Sequence, residues 1–292
     1  MDALLFPSTG AAPEAGRRNA FSLADMAVSA LMDEATLTPK PGLVDLKSRG
    51  AHRDMDWTLM CESARALHPT FYALAEAGRR IAAPLALRVR VGQIGRQGEA
   101  AMLQATGGVN THRGAIWALG LLVTAAAQDA ADAGAAAIAA RAGTIARCHD
   151  RFAPAYTGNK GEIACRRYGV SGARGQAQAD FPHVVRLALP RLRRSRMEGD
   201  DELTARLNCL VALIAELDDT CVLSRGGASA LAAVQAGAAR VLAEGGAGTM
   251  EGMHALQRLG RLLVAMDVSP GGAADLLAAT LFLDRVAQPS MN

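Results

Sequence analysis

Four polar clusters stand out from a chain otherwise dominated by alanine, leucine and arginine. The sharpest is TGGVNTHRGAI, residues 106–116, which sets Gly107, Gly108, Asn110, Thr111, His112 and Arg113 directly ahead of an apolar run. Glycines before a helix start let backbone N–H groups approach a ligand, and the helix N-terminus favours negative charge. The stretch therefore reads as an anion cradle, with Asn110 or Thr111 as the helix cap. A Schellman turn joining two helices, with Gly107 as its left-handed residue, accounts for one glycine but not for the Asn-Thr-His-Arg run.

EATLTPKPGLVDLKSRGAHRDM, residues 34–55, gathers Glu34, Lys40, Asp45, His52, Arg53 and Asp54 in one loop between helices. Loops this long are functional or disordered, and separated prolines and glycines favour a shaped, functional one. GNKGEIACRRYGVSGARGQAQADFP, 158–182, supplies Lys160, Glu162 and Arg174 among glycines. It holds neither a P-loop nor a G-x-G-x-x-G after a strand, which disfavours the standard mononucleotide folds. A flexible basic linker fits the same composition.

LDDTCVLSRGG, 217–227, puts Asp218 and Asp219 where a helix should end, a place unfavourable for carboxylates. A Mg2+ ion would compensate them, and so would a solvated turn paired with Arg225. Arg225 ahead of Gly226 and Gly227 makes another anion-facing helix start. Only 3 lysines accompany 28 arginines, and both Lys40 and Lys160 lie in Gly/Pro loops, where an ammonium suits a phosphate. Either lysine alone also fits a solvated loop. Together the clusters describe a site for a highly charged ligand, and a nucleoside triphosphate matches the inventory.

The elements that must position these residues read as helices. Ser22 and Asp25 make a capping-box start, and the helix runs to a stop at Pro39. Asp56 caps a second helix, interrupted at Pro69 and resumed through Phe71 and Leu74. A third precedes Gly107 and carries Glu99 and Met102, and a fourth, Arg113 to Ala127, is apolar nearly all round and hence central. Leu203, Leu207, Leu210, Ile214 and Leu217 form a seam that another helix must cover. Further helices fit 228–243, 250–266 after Thr249, and 271–286 with Ser269 as cap. Residues 86–92, ALRVRVG, alternate like a strand but would lack a partner, so they are assigned to helix. Loop-rich stretches cover 1–20, 38–56, 152–182 and 243–249. The expected architecture is an all-α, single-domain multi-helix bundle, a flexible N-terminal segment over residues 1–20 and a catalytic domain over 21–287.

At 292 residues and 50% hydrophobic, the chain can bury a large core, and with 4% aromatics that core is aliphatic. A net charge of +3 is too balanced for a nucleic-acid binder. The longest apolar run, Ala115–Ala127, is too short to span a bilayer. Five cysteines without metal spacing, and no signal-peptide pattern, point to reduced thiols in the cytoplasm. An exposed leucine seam is compatible with a homodimer.

PKPGLVD with GAHRDM, TGGVNTHRGAI, YGVSGARGQA with FP, and DDTCVLSRGG occur in the order found in the triphosphoribosyl-dephospho-CoA synthase family, which the chain resembles over about residues 25–285. The DDTCVLSRGG form resembles the malonate decarboxylase-associated branch more than the citrate lyase one. The resemblance implies an all-α enzyme that takes ATP and 3′-dephospho-CoA as substrates and releases adenine. The triphosphoribosyl group then sits on the acceptor's 2′-hydroxyl, as the precursor of an acyl carrier protein's prosthetic group. Under it, Lys40, His112, Arg113, Lys160, Arg174 and Arg225 bind phosphates with Gly107, Gly108, Asn110 and Thr111. Asp218 and Asp219 hold Mg2+, with Glu99 and Glu162 in reserve. Asp45 or Asp54 serves the 2′-hydroxyl, with His52 and Glu34 beside them. One departure stands out: Gln176 replaces a family glutamate, and Asp180 replaces a glycine before the final FP. A neutral amide is a poor metal ligand and no base. Two rival readings are an all-α N-glycosyl hydrolase of the ADP-ribose type, with water as acceptor, and a helical scaffold that binds no nucleotide.

Overall fold

The computed structural model describes residues 19–129 and 134–287. Its first half is α1 (Ala20–Thr36), α2 (Trp57–Ala66), α3 (His68–Arg80), α4 (Pro84–Ala105), α5 (Arg113–Gln128) and α6 (Ala135–Arg147). The second half is α7 (Lys160–Tyr168), α8 (Gly172–Gln178), α9 (Leu189–Met197), α10 (Glu202–Glu216), α11 (Thr220–Ala243), α12 (Met250–Ala265) and α13 (Gly271–Ala287). No strand occurs among the described residues, and the all-α expectation holds. Residues 1–18 of the expected flexible segment lie outside the described residues.

α5 is the centre of the bundle. From Ala115 to Ala126 every residue except Trp117 is buried, and the helix packs against α1, α3, α4, α6 and α13. Thr124 tolerates this setting because its hydroxyl donates to the Gly120 carbonyl at 2.7 Å. The core is aliphatic as composition requires, with Phe71, Phe181 and Phe282 as its fully buried aromatics. Each buried Leu, Ile or Phe contributes about 1.5–3 kcal/mol, so the many long helices need little intrinsic propensity.

Several local expectations need correction. α1 starts at Ala20 because Asn19, not Ser22, is the cap: its Oδ1 accepts the Ser22 amide at 2.7 Å. Residues 86–92, by contrast, are helical within α4 as expected. Leu203 is 47% exposed, whereas Leu207, Leu210 and Ile214 are buried under α11, α9 and α13. The stretch 152–182 is not loop throughout, since it holds α7 and α8. Asn159 caps α7 through the Glu162 amide while Glu162 Oε2 accepts the Thr157 amide at 2.8 Å, a reciprocal pair that starts the helix. Ser269 does not cap α13, because its hydroxyl is bound to His52 and Asp219 supplies the cap. α11 begins at Thr220, and Gly227, with φ 73° and ψ −170°, breaks it just ahead of the helix expected at 228–243.

Candidate active site

The polar clusters meet where the C-terminus of α1, the loop 37–56 and the N-termini of α5, α11 and α13 converge. The loop is built by Asp45. Its Oδ2 accepts the Lys40 amide at 3.0 Å, and its Oδ1 accepts the amides of Lys47 and Ser48 at 2.8 and 2.7 Å. Those bonds turn the chain so that Lys40 points back at α1, where its Nζ meets Glu34 Oε1 at 2.5 Å with both side chains almost wholly buried. A buried pair of this kind is secured by geometry rather than by net stabilisation.

The TGGVNTHRGAI segment forms the second wall. The Gly108 amide reaches the Leu103 carbonyl at 2.7 Å with Gly107 and Gly108 both at positive φ, so a Schellman turn ends α4. Beyond it Thr111, Ser63 and His112 form a chain of short bonds: Ser63 Oγ lies 2.6 Å from Thr111 Oγ1 and 2.7 Å from His112 Nδ1. His112 is 2% exposed, and its Nε2 has no hydrogen-bond partner among the described residues. Burial first, and Lys40 second, push the imidazole pKa down to about 3, so it is neutral and keeps one ring nitrogen free for a ligand.

The third wall was not legible in the polar clusters. Asp275, on the first turns of α13, places its carboxylate against the start of α5. A Cβ on Gly114 would stand 2.0 Å from Asp275 Oδ2, so only glycine allows this approach, and the Ala115 amide bonds the carboxylate. Burial, then the neighbouring Glu34 and Asp219 carboxylates, raise its pKa well above the usual range. Asp275 is the one charged residue among 271–283, and that isolation on an apolar helix was the available signal.

Asp219 holds the framework. Its Oδ1 accepts the Cys221 and Val222 amides at 2.8 and 3.4 Å and its Oδ2 the Ala273 amide at 2.9 Å, so one buried carboxylate caps both α11 and α13. It therefore lies at a helix start, where negative charge is favoured, rather than at a helix end. Burial raises its pKa against the pull of those amides. At the same end of α13, His52 Nε2 lies 2.9 Å from Ser269 Oγ, and Arg225 reaches the Ala51 carbonyl at 3.1 Å and His52 Nδ1 at 3.3 Å. Desolvation, then Arg225, lower the His52 pKa. Asp54 is 3.7 Å from His52 and exposed, on an open cleft of about 420 Å³ that Arg49, Arg53 and Glu62 also line.

The remaining expected residues are more scattered. Arg113 pairs with Glu99 at the rim of the α5 start, and the Arg113 amide bonds Asn110 Oδ1 at 3.3 Å. Lys160 opens α7, whose Gly161 lies against Thr220, whereas Glu162 is engaged by Thr157 and Arg166 and Arg174 is exposed on α8. Asp218 is exposed, whereas Asp219 is buried with both oxygens taking backbone amides. Among the described residues, no group of three or more His, Cys, Asp or Glu side chains stands ready to hold a metal ion. Gln176 is buried and bonds His183 Nδ1 at 2.8 Å, a structural contact between α8 and the π-helical segment His183–Ala188 beyond it. Asp180, at φ 63°, occupies a left-handed position that favours glycine, and Arg147 holds it at 2.8 Å.

No helix among the described residues is long and apolar enough to cross a membrane. No solved structure matches the chain. Curated relatives do. A 2-(5″-triphosphoribosyl)-3′-dephosphocoenzyme-A synthase of Klebsiella pneumoniae is 56% identical over 265 residues, 91% of this chain and 94% of its own length. Probable enzymes of the same name are 54% identical in Azotobacter vinelandii, over 90% of each chain, and 52% identical in Stutzerimonas stutzeri, over 94% of this chain and 93% of the relative. Residues 20–292 match the sequence model of one family. The chain belongs to that family, CitG, ATP:dephospho-CoA triphosphoribosyl transferase, and is an enzyme.

Proposed function

We propose that the chain transfers the triphosphoribosyl group of ATP to the 2′-hydroxyl of 3′-dephospho-CoA and releases adenine. The observation that carries this reading is the half-buried Asp275 carboxyl, set at the start of α5 beside the Glu34–Lys40 pair and near the free nitrogen of His112. Breaking the C1′–N9 bond builds positive charge on the ribose, and carboxylates stabilise it as they do in glycoside cleavage. Burial favours the protonated form of the Asp275 carboxyl, and Asp275 gives that proton to the departing adenine. The carboxylate left behind takes the proton of the 2′-hydroxyl as that oxygen bonds C1′, so Asp275 ends protonated again. The role expected of Asp45 or Asp54 passes to it, since both Asp45 oxygens already take backbone amides and Asp54 stands in solvent.

Lys40 and Glu34 fix the sugar end of the site, and neutral His112, Arg113 and Arg225 meet phosphate oxygens at the α5 and α11 faces. Burial of this centre keeps water from taking the place of the acceptor. Mg2+ enters on the triphosphate of ATP, the usual partner of this ion, because the carboxylates among the described residues build no cage of three or more. We place the enzyme in the cytoplasm, with its five free thiols, and in the branch that serves malonate decarboxylase. Mass spectrometry of the product tests the reaction. Restoring malonate decarboxylase activity, and not citrate lyase activity, in cells lacking their own synthase tests the branch.

A further inference from the structure

A second cationic cluster lies outside the centre described above. On α4, Arg88, Gly92, Arg96 and Glu99 share one face and look toward α5 and the segment after α6. The Arg88 side chain is 7% exposed, and its Nε and Nη1 find no hydrogen-bond partner among the described residues. Its nearest carboxylate, Asp150 Oδ2, stands 3.6 Å away and is already engaged by Arg96 at 2.8 Å. The other oxygen of Asp150 takes the Phe152 amide at 3.0 Å. One carboxylate thus faces two guanidinium groups, and exposed Arg174 on α8 adds a third positive charge to the field at Arg88.

Trp117 lies against this cluster. The Arg88 guanidinium lies 5.2 Å from its ring centre, and the ring is fixed because Nε1–H donates to the Ala173 carbonyl at 3.1 Å. Trp117 is one turn beyond Arg113, and Glu99, the partner of Arg113, is one turn beyond Arg96. The cluster is therefore continuous with the start of α5. A buried donor without a partner is costly, and two of them on one guanidinium call for an acceptor that carries negative charge.

We infer that the cluster of Arg88, Arg96 and Arg174 beside Trp117 binds a phosphate or diphosphate group of a nucleotide substrate, on the side remote from the reacting ribose. Which nucleotide supplies it rests on the transferase reading above; the anion site itself does not. Titration calorimetry of the full chain with inorganic pyrophosphate tests it directly. R174Q, at an exposed side chain, weakens pyrophosphate by about tenfold or more while melting like the wild type. R96Q weakens it as much and also lowers Tm, because buried Asp150 loses its partner at 2.8 Å. R88K, which keeps the charge but loses the planar fork, weakens pyrophosphate likewise. R194Q, which removes an equal charge from exposed α9, changes nothing.

In the coupled assay, R174Q raises KM for one substrate: for ATP if the triphosphate sits here, for 3′-dephospho-CoA if its diphosphate does. Pyrophosphate affinity unchanged in R174Q and R96Q overturns the site, and unchanged KM for both nucleotides overturns its role in substrate binding. A wild-type chain that binds pyrophosphate at this cluster yet releases no adenine sinks the transferase reading and leaves the anion site standing.

Discussion

His112 offers the most quantitative test of the site. The imidazole is buried, hydrogen-bonded to Ser63 through Nδ1, and its pKa falls from 6.5 to about 3 on folding. The unfolded chain therefore takes up this proton first on acidification, so the stability from His112 is complete above about pH 6.5 and is lost as pH falls toward 3. One such group costs almost nothing at pH 7.5, about 1.4 kcal/mol at pH 5.5 and about 2.7 kcal/mol at pH 4.5. Urea unfolding of the wild type and of H112Q at pH 7.5, 6.5 and 5.5 measures it. H112Q is less stable at pH 7.5 and loses about 1.4 kcal/mol less than the wild type on going to 5.5. Both proteins keep the other pH-dependent contributions, from the lowered His52 pKa with the same sign and from the raised Asp275 and Asp219 pKa values with the opposite one. Equal pH slopes in the two proteins would refute the claim that His112 is held neutral in the site.

Other perturbations separate catalysis from framework. D275N folds and melts near the wild type but lowers adenine release by about 10²–10⁴, as expected for loss of a proton-transfer group, whereas D54N stays within a few fold. G114A should gain about 1 kcal/mol on helix propensity alone, yet its Cβ would overlap Asp275, so calorimetry shows destabilisation and the assay shows loss comparable to D275N. D219A strips the cap from two helices and leaves three buried amides unpaired, costing about 3–4 kcal/mol and lowering Tm by roughly 6–15 °C, with D219N intermediate. K40M leaves Glu34 buried without its partner and costs about 3–5 kcal/mol, and E34Q/K40M recovers most of that stability without recovering activity.

The periodic apolar helices were readable in the sequence because burial imposes their spacing: α5, α10, α12 and α13 fall close to the expected limits. Short polar helices were not. α7 was hidden by glycine and arginine content, although N-x-x-E at 159–162 carries a capping signature that local hydrogen bonding fulfils. Of the residues in the polar clusters, Glu34 and Lys40 meet as a buried pair, and His112 lies within the electrostatic reach of Lys40. Which carboxylates face a ligand was not legible, because that depends on who takes the backbone amides. Asp45 and Asp219 spend both oxygens on amides, whereas Asp275, a lone acid in GGAADLL, reaches the site only because Gly114 lies opposite on another helix.

The central claim is tested most directly by incubating the chain with ATP and Mg2+, with and without 3′-dephospho-CoA, and following adenine by chromatography and the acceptor by mass spectrometry. The account predicts adenine only when the acceptor is present, in equal amount to a triphosphoribosylated 3′-dephospho-CoA, and both products slowed by about 10²–10⁴ with D275N. Adenine released at the same rate without acceptor would contradict it and mark a hydrolase; no adenine under either condition would contradict it as well.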